Sequence, residues 1–197
     1  VVVKRITLVG VAFTLIHTKS GGIRLGNEKD VGDDSLIKRI SDVITAHGGQ
    51  SSSLESFAVR GAQLGFYDEI TGLNLTAPRA NMVMRGTRGI IATGFDADVI
   101  ISGSKSHVTA DLALPPDKGP ITGTLAITGL ELKSLGANSS FFAGVKTFPV
   151  MASASTSFRV AADNSLVFAA FDITAHGDVP FAPASTKTLK ISNLRLV

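Results

Sequence analysis

The sequence contains no cysteine, and that absence removes disulfides, thiolate metal sites and cysteine nucleophiles together. A small disulfide-stapled secreted fold is excluded with them. Tryptophan is also missing, tyrosine occurs once and methionine three times, so the core must be built from smaller residues. The longest apolar stretch, residues 8–16, falls far short of the ~20 residues a membrane-spanning helix needs. No dense basic run interleaved with aromatics occurs, so nucleic-acid binding finds no support. The net charge is +3, with basic excess in residues 1–88 and after 187 and an acidic excess between them.

Catalytic signatures are missing as well. No G-x-S-x-G elbow, G-x-G-x-x-G turn or H-E-x-x-H pair is present. Gly103-Ser104-Lys105-Ser106 superficially matches the end of a P-loop, but the earlier glycine is absent and no helix pattern follows, so it reads as a hairpin turn. His17, His47, His107 and His176 are scattered one per segment, with no i,i+2 or i,i+4 pair to hold a metal. Each is expected at a strand or helix end. Asp33-Asp34 reads as a helix cap, and Asp68-Glu69 as part of a turn. Asp96 and Asp98 share the wet face of one strand, as in any half-solvated sheet. The expectation is a protein that is not an enzyme and takes no cofactor and no metal.

What the sequence does hold is apolar material of a particular kind. Apolar residues make up 44% of the chain, with 11 phenylalanines and the remaining weight on Ala, Val, Ile and Leu. Small and β-branched residues alternating with Thr and Ser suit pleated, half-buried surfaces. Twenty glycines and seven prolines spread along the chain supply many turns. Alternation recurs at residues 4–16, pivoting or breaking at Gly10, and at 57–66, with a break near Gly61. It continues at 73–84, 90–102, 107–114, 121–127, 150–160 and 167–175, and ends at 188–196 with a phase slip at Asn193. Between 90 and 102, Ile91, Thr93, Phe95, Ala97, Val99 and Ile101 share one face, and Asp96 and Asp98 the other.

Two interruptions read as helical. One covers about 33–47, with Leu36, Ile37, Ile40, Val43 and Ile44 on one face and His47-Gly48-Gly49 as a stop. The other covers about 131–145 and is short or broken at Gly136 and Asn138. Gln50 to Ser53 reads as a flexible joint. The chain opens on Val1-Val2-Val3-Lys4, already strand-like and without a leader pattern, so residues 1–197 are expected to be one β-rich segment of a larger protein. The fold class expected is mainly β with two short helices, an elongated, twisted antiparallel sheet. Helical material this scant leaves an apolar face that must close on itself, stack on neighbours or receive an apolar ligand.

The stretch from Ser56 to Glu69, Ser-Phe-Ala-Val-Arg-Gly-Ala-Gln-Leu-Gly-Phe-Tyr-Asp-Glu, with Thr71-Gly72-Leu73 after it, resembles AsmA-like proteins of the TamB/YhdP type. Gly22-Ile23-Arg24-Leu25-Gly26, His107-Val108-Thr109-Ala110-Asp111 and Gly119-Pro120-Ile121-Thr122-Gly123 resemble the same family. The resemblance implies a periplasmic body forming an open β-groove, in a parent anchored in the bacterial inner membrane outside this segment. It implies lipid transport to the outer membrane, with phospholipid acyl chains conducted along the groove and envelope proteins as possible partners. On that reading the lining is Phe95, Val99, Ile101, Val108, Leu112, Leu125, Ile127, Phe158, Phe171 and Ile173. The alternative is a structural or adhesive β-array whose apolar face is self-buried and takes no ligand.

Overall fold

Alternation with a period of two organises nearly the whole chain. The computed structural model describes residues 3–20, 23–26, 55–87, 90–115, 119–161, 165–180 and 188–196. Eleven strands lie in these residues: β1 (Arg5–Val9), β2 (Ala12–His17), β3 (Ile23–Leu25), β4 (Ser56–Asp68), β5 (Asn74–Thr87) and β6 (Ile90–Ile101), then β7 (Ser104–Leu114), β8 (Ile121–Glu131), β9 (Val150–Val160), β10 (Leu166–Pro180) and β11 (Thr188–Leu196). The helix expected at 33–47 and the joint expected at 50–53 lie outside the described residues.

All eleven strands belong to one open sheet, in the order β11-β10-β9-β8-β7-β6-β5-β4-β2-β3, with β1 also paired to β4. From β4 to β11 each strand pairs antiparallel with the next, the arrangement that short connections enforce. The first strands depart from the expected all-antiparallel order, since β1 and β2 both run parallel to β4. The alternation at 4–16 is therefore one long strand interrupted at Gly10, not a hairpin. Gly10 (φ +66°) and Gly61 (φ +59°) sit across from each other in the left-handed region, where glycine carries no steric penalty. The Gly10 amide donates to Arg60 O at 3.0 Å and the Gln63 amide to Val11 O at 2.8 Å, so the pairing resumes beyond the break.

Bulges correct the register elsewhere. Arg60-Gly61 is an extra step on β4, since Val59 pairs with Met82 but Ala62 with Ala80. The Gly61 amide is taken up by Asn81 Oδ1 at 3.0 Å. One turn later β5 carries its own extra step around Pro78, a position where proline's missing N–H costs no ladder bond. β11 slips between Ile191 and Leu194, matching the phase slip expected at Asn193. The turn between β6 and β7 is Ser102-Gly103 and not the expected Gly103 to Ser106, so β7 already begins at Ser104. Ser102 (φ +46°) and Gly103 (φ +83°) close it, and Ser104 is already paired with Ile101, as in a tight two-residue hairpin with both central φ values positive.

The interior sits over β4, β5 and β6, where Phe57, Val59, Ala62, Ala77, Ala80, Met84, Ile91, Ala97 and Val99 form one buried cluster. Alanine stands at four of these positions, beside the larger Phe57, Met84 and Ile91. Val11, Phe13, Leu64, Leu75, Met82, Phe95, Val108 and Leu114 pack around it.

Between β8 and β9 the chain forms α1 (Leu132–Asn138) and a 3-10 helix (Ser140–Val145), the broken helix expected at 131–145. The break is made by Ser139, whose hydroxyl accepts from the Phe141 amide at 3.2 Å and donates to Thr71 O. Asn138 Oδ1 accepts the Asn74 amide at 2.7 Å, and its amide group reaches Ser102 Oγ at 3.5 Å. The helical segment is thus tied to the β4–β5 and β6–β7 turns and covers one end of the sheet. Its two halves meet at Gly136, where a Cβ would stand 2.5 Å from Lys146 N and 2.8 Å from Phe142 O.

These are backbone atoms, so Gly136→Ala must move main chain and should destabilise the fold by about 2 kcal/mol. Gly144→Ala, where a Cβ meets nothing within 4 Å, should leave the urea midpoint in place. Equal midpoints for the two variants would contradict this packing.

Candidate functional site: one apolar face and its open flank

Residues directly opposite one another in neighbouring strands point to the same side of a sheet, so the register assigns the faces. One row runs Phe95, Ala110, Leu125, Thr156, Phe171 across β6 to β10. A second runs Ala97, Val108, Ile127, Ala154, Ile173, and a third Thr93, Leu112, Gly123, Phe158, Ala169. Val99 and Ile101 complete β6 on the same side. All ten residues expected to line an apolar surface therefore share one face. Ile6 and Leu8 extend it over β1, opposite Phe57 and Val59. Their alternation is visible in the sequence, but their place beside β4 depends on a parallel pairing that local pattern does not encode.

Burial divides this face. Val99 is 4% exposed and Ile101 2%, inside the closed part. Leu125 is 44% exposed and Phe171 57%, on a flank within β8 and β10. The side chains between these extremes, Phe95, Val108, Leu112, Ile127, Phe158 and Ile173, are half-buried. Gly123 shows how the transition is packed. A Cβ there would lie 2.6 Å from Leu112 Cδ2 and 2.8 Å from Phe158 Cζ, so these two side chains lie over the glycine and fill the space above β8. The hydroxyls of Thr93 and Thr156 are buried on the same face without a hydrogen-bond partner among the described residues.

The other face is polar and charge-matched along its middle. His107 Nδ1 lies 3.1 Å from Asp98 and its Nε2 3.1 Å from Asp96, while Lys105 Nζ reaches Asp98 at 3.0 Å. The hydrogen bonds from Lys105 and then His107 hold the Asp98 carboxyl below its ordinary value. Farther along, Arg195 grips Asp172, lowering that carboxyl too. Solvated ion pairs of this kind contribute little to stability. Histidines were expected at element ends. His17 does end β2, but His107 lies within β7 and His176 within β10, because cross-strand carboxylates and solvent accommodate a polar ring in mid-strand. His47 lies outside the described residues. Among the described residues no group of three or more His, Asp or Glu could hold a metal ion.

At the helix-covered end, Asp68 forms a compact polar knot. Its Oδ2 accepts from Thr71 Oγ1 at 2.5 Å, and its Oδ1 from the Ile70 amide at 3.1 Å. His17 Nδ1 lies 2.9 Å from the same Oδ1. The Thr71 hydroxyl, against the opposing effect of burial and with the Ile70 amide and His17, holds this carboxyl below its ordinary value.

Compared with known proteins, the chain matches no family model, no curated protein and no solved structure.

A carboxyl depressed in the folded state contributes stability that is present above its unfolded value near ~4 and is lost as pH falls through the folded value. The stability difference between the wild type and Asp68→Asn should therefore be largest near neutral pH and should shrink steadily below about pH 4. Urea midpoints measured across that window test it, and a gap independent of pH would show that Asp68 acts only through neutral hydrogen bonds.

Proposed function

We propose that this chain binds acyl chains of lipids on the open flank of its apolar face, as a segment of an envelope protein that conducts phospholipid between membranes. The observation that carries the reading is the row Leu125, Thr156, Phe171, apolar and exposed at both ends, in a sheet whose centre is otherwise buried. Family and location, a periplasmic body in an AsmA-like parent with an inner-membrane anchor, rest on the sequence resemblance. Among the described residues no helix is long and apolar enough to cross a membrane.

The chemistry required is modest. Each methylene withdrawn from water is worth about 0.8 kcal/mol, so an apolar strip binds an acyl chain without polar contacts to the tail. Successive strands repeat at about 4.8 Å and offer similar side chains, so a chain moving across the rows exchanges one contact for an equivalent one. A headgroup remains in water beside the strip.

The closed centre supports the competing reading of a self-buried structural array, in which Ala97 and Val99 typify the whole face. The two readings separate by experiment. Val99 is a poor probe, because an aspartate at a site 4% exposed would be an unpaired buried charge and would unfold the chain. Leu125→Asp and Phe171→Asp place the charge where solvent already reaches. Protein purified from a host containing bacterial membranes, studied by native mass spectrometry with lipid extraction, should carry phospholipid. Leu125→Asp should lose at least about 90% of it, consistent with the cost of seating an acyl chain against a charge, while Asp98→Asn on the polar face retains it. A well-folded protein with a clean lipid-free mass and no uptake of fluorescent phospholipid would establish the structural array instead.

A further inference from the structure

Among the described residues, the polar face gathers arginines at one end of the sheet. At the end of the sheet opposite the helical segment, Arg5, Ser56 and Arg85 form a single row across β1, β4 and β5. Two strand spacings place the arginine backbones about 10 Å apart with the small serine between them. Arg60 stands farther along β4 on the same side. These three arginines border a depression of about 450 Å³ with Ser56, Ala58 and Gly86 among its lining residues. Ala58 is 8% exposed and forms a floor that a larger side chain would fill. All three arginines are solvent-exposed. The one carboxylate lining the depression, Glu55, is held by Lys4 Nζ at 2.7 Å and lies within the field of Arg5, so three arginines face a single carboxylate already paired to a lysine. Farther along the same face, by contrast, Lys105, His107 and Arg195 each meet an aspartate.

We infer that the depression bordered by Arg5, Arg60 and Arg85 binds a phosphate group, carried either by a free phosphate ester or by a lipid headgroup. Guanidinium forks match the oxygen geometry of phosphate with paired, charge-assisted hydrogen bonds. Three of them around a floor of serine, alanine and glycine let the anion approach the sheet closely. A single carboxylate would leave at least one fork unused, whereas a phosphate offers oxygens on several sides. The site opens on the face opposite the apolar rows, so it stands independently of the acyl-chain reading.

Backbone and arginine side-chain NMR signals followed during titration with inorganic phosphate test the assignment. Saturable shifts are expected at Ser56, Ala58 and Gly86 and at the three arginine side chains. The double variant Arg60→Gln/Arg85→Gln should weaken binding by at least about tenfold, the effect of losing hydrogen bonds to a charged group. Arg159→Gln, an exposed arginine on the same face at a distance, should leave it unchanged. A parallel sedimentation assay compares vesicles of phosphatidylcholine alone with vesicles containing phosphatidic acid. Binding to free phosphate assigns a soluble ester, and binding only to phosphatidic acid vesicles assigns a headgroup, provided the double variant loses either one. Absence of binding to both probes, or loss that is equal in the double variant and in Arg159→Gln, would overturn the site. Leu125→Asp should not alter phosphate binding, so failure of the acyl-chain reading and failure of this one remain distinguishable.

Discussion

In a sheet a slip of one residue turns every later side chain to the other face, and the architecture of this chain depends on never letting that happen uncorrected. The extra step at Arg60-Gly61 in β4 would exchange faces relative to β5, were it not followed by the extra step around Pro78 in β5. Between the two bulges Ala62 and Ala80 pair, and both remain in the buried cluster. Gly10 performs the same service between β1 and β2. It breaks the strand opposite Gly61, and pairing resumes with Ala12 against Gln63 and Phe13 against Leu64. The left-handed glycines are placed where the alternation needs an extra residue accommodated, which is why their substitution would disturb a whole face and not one contact.

Once one face is held apolar across the strands, burial still varies along it. Over β4 to β6 it is buried, with Ala62, Ala77, Ala80 and Ala97 beside Phe57, Met84 and Ile91. Over β8 to β10 it carries leucine and phenylalanine separated by threonine, and the ends of that row stay in solvent. The helical segment at 132–145 covers one end, pinned by Asn138 and Ser139 to two hairpin turns. Buried centre, covered end and exposed flank all lie on one constant alternation.

This explains what could be read in the sequence and what could not. Strand positions from β5 to β11, the polar side carrying Asp96 and Asp98, the broken helix and the slip at Asn193 are local properties, written in neighbours two to four residues apart. The parallel placement of β1 and β2 beside β4 is not local, since it joins segments some fifty residues apart, and nothing in residues 4–16 distinguishes it from a hairpin. Alternation placed all ten expected lining residues on one face, but it cannot tell Val99 from Leu125, because exposure depends on what lies across the fold. Register was equally necessary to find that His107 stands between two aspartates, or that Arg5 and Arg85 flank Ser56.

The division of the apolar face bears on how a lipid-handling segment could work at all. A face that reached low energy only when covered by lipid would leave the empty chain unstable, because tens of exposed apolar groups at about 25 cal/mol per Å² would remain in water. Here the cluster from Phe57 to Val99 supplies a core that needs no ligand, so the flank around Leu125 and Phe171 can be filled or vacated without the fold depending on it. On the proposed reading that separation is what permits transport in place of storage. The strip must hold an acyl chain more strongly than water does and yet release it to the next position, and it can do so only if folding free energy is supplied by other residues.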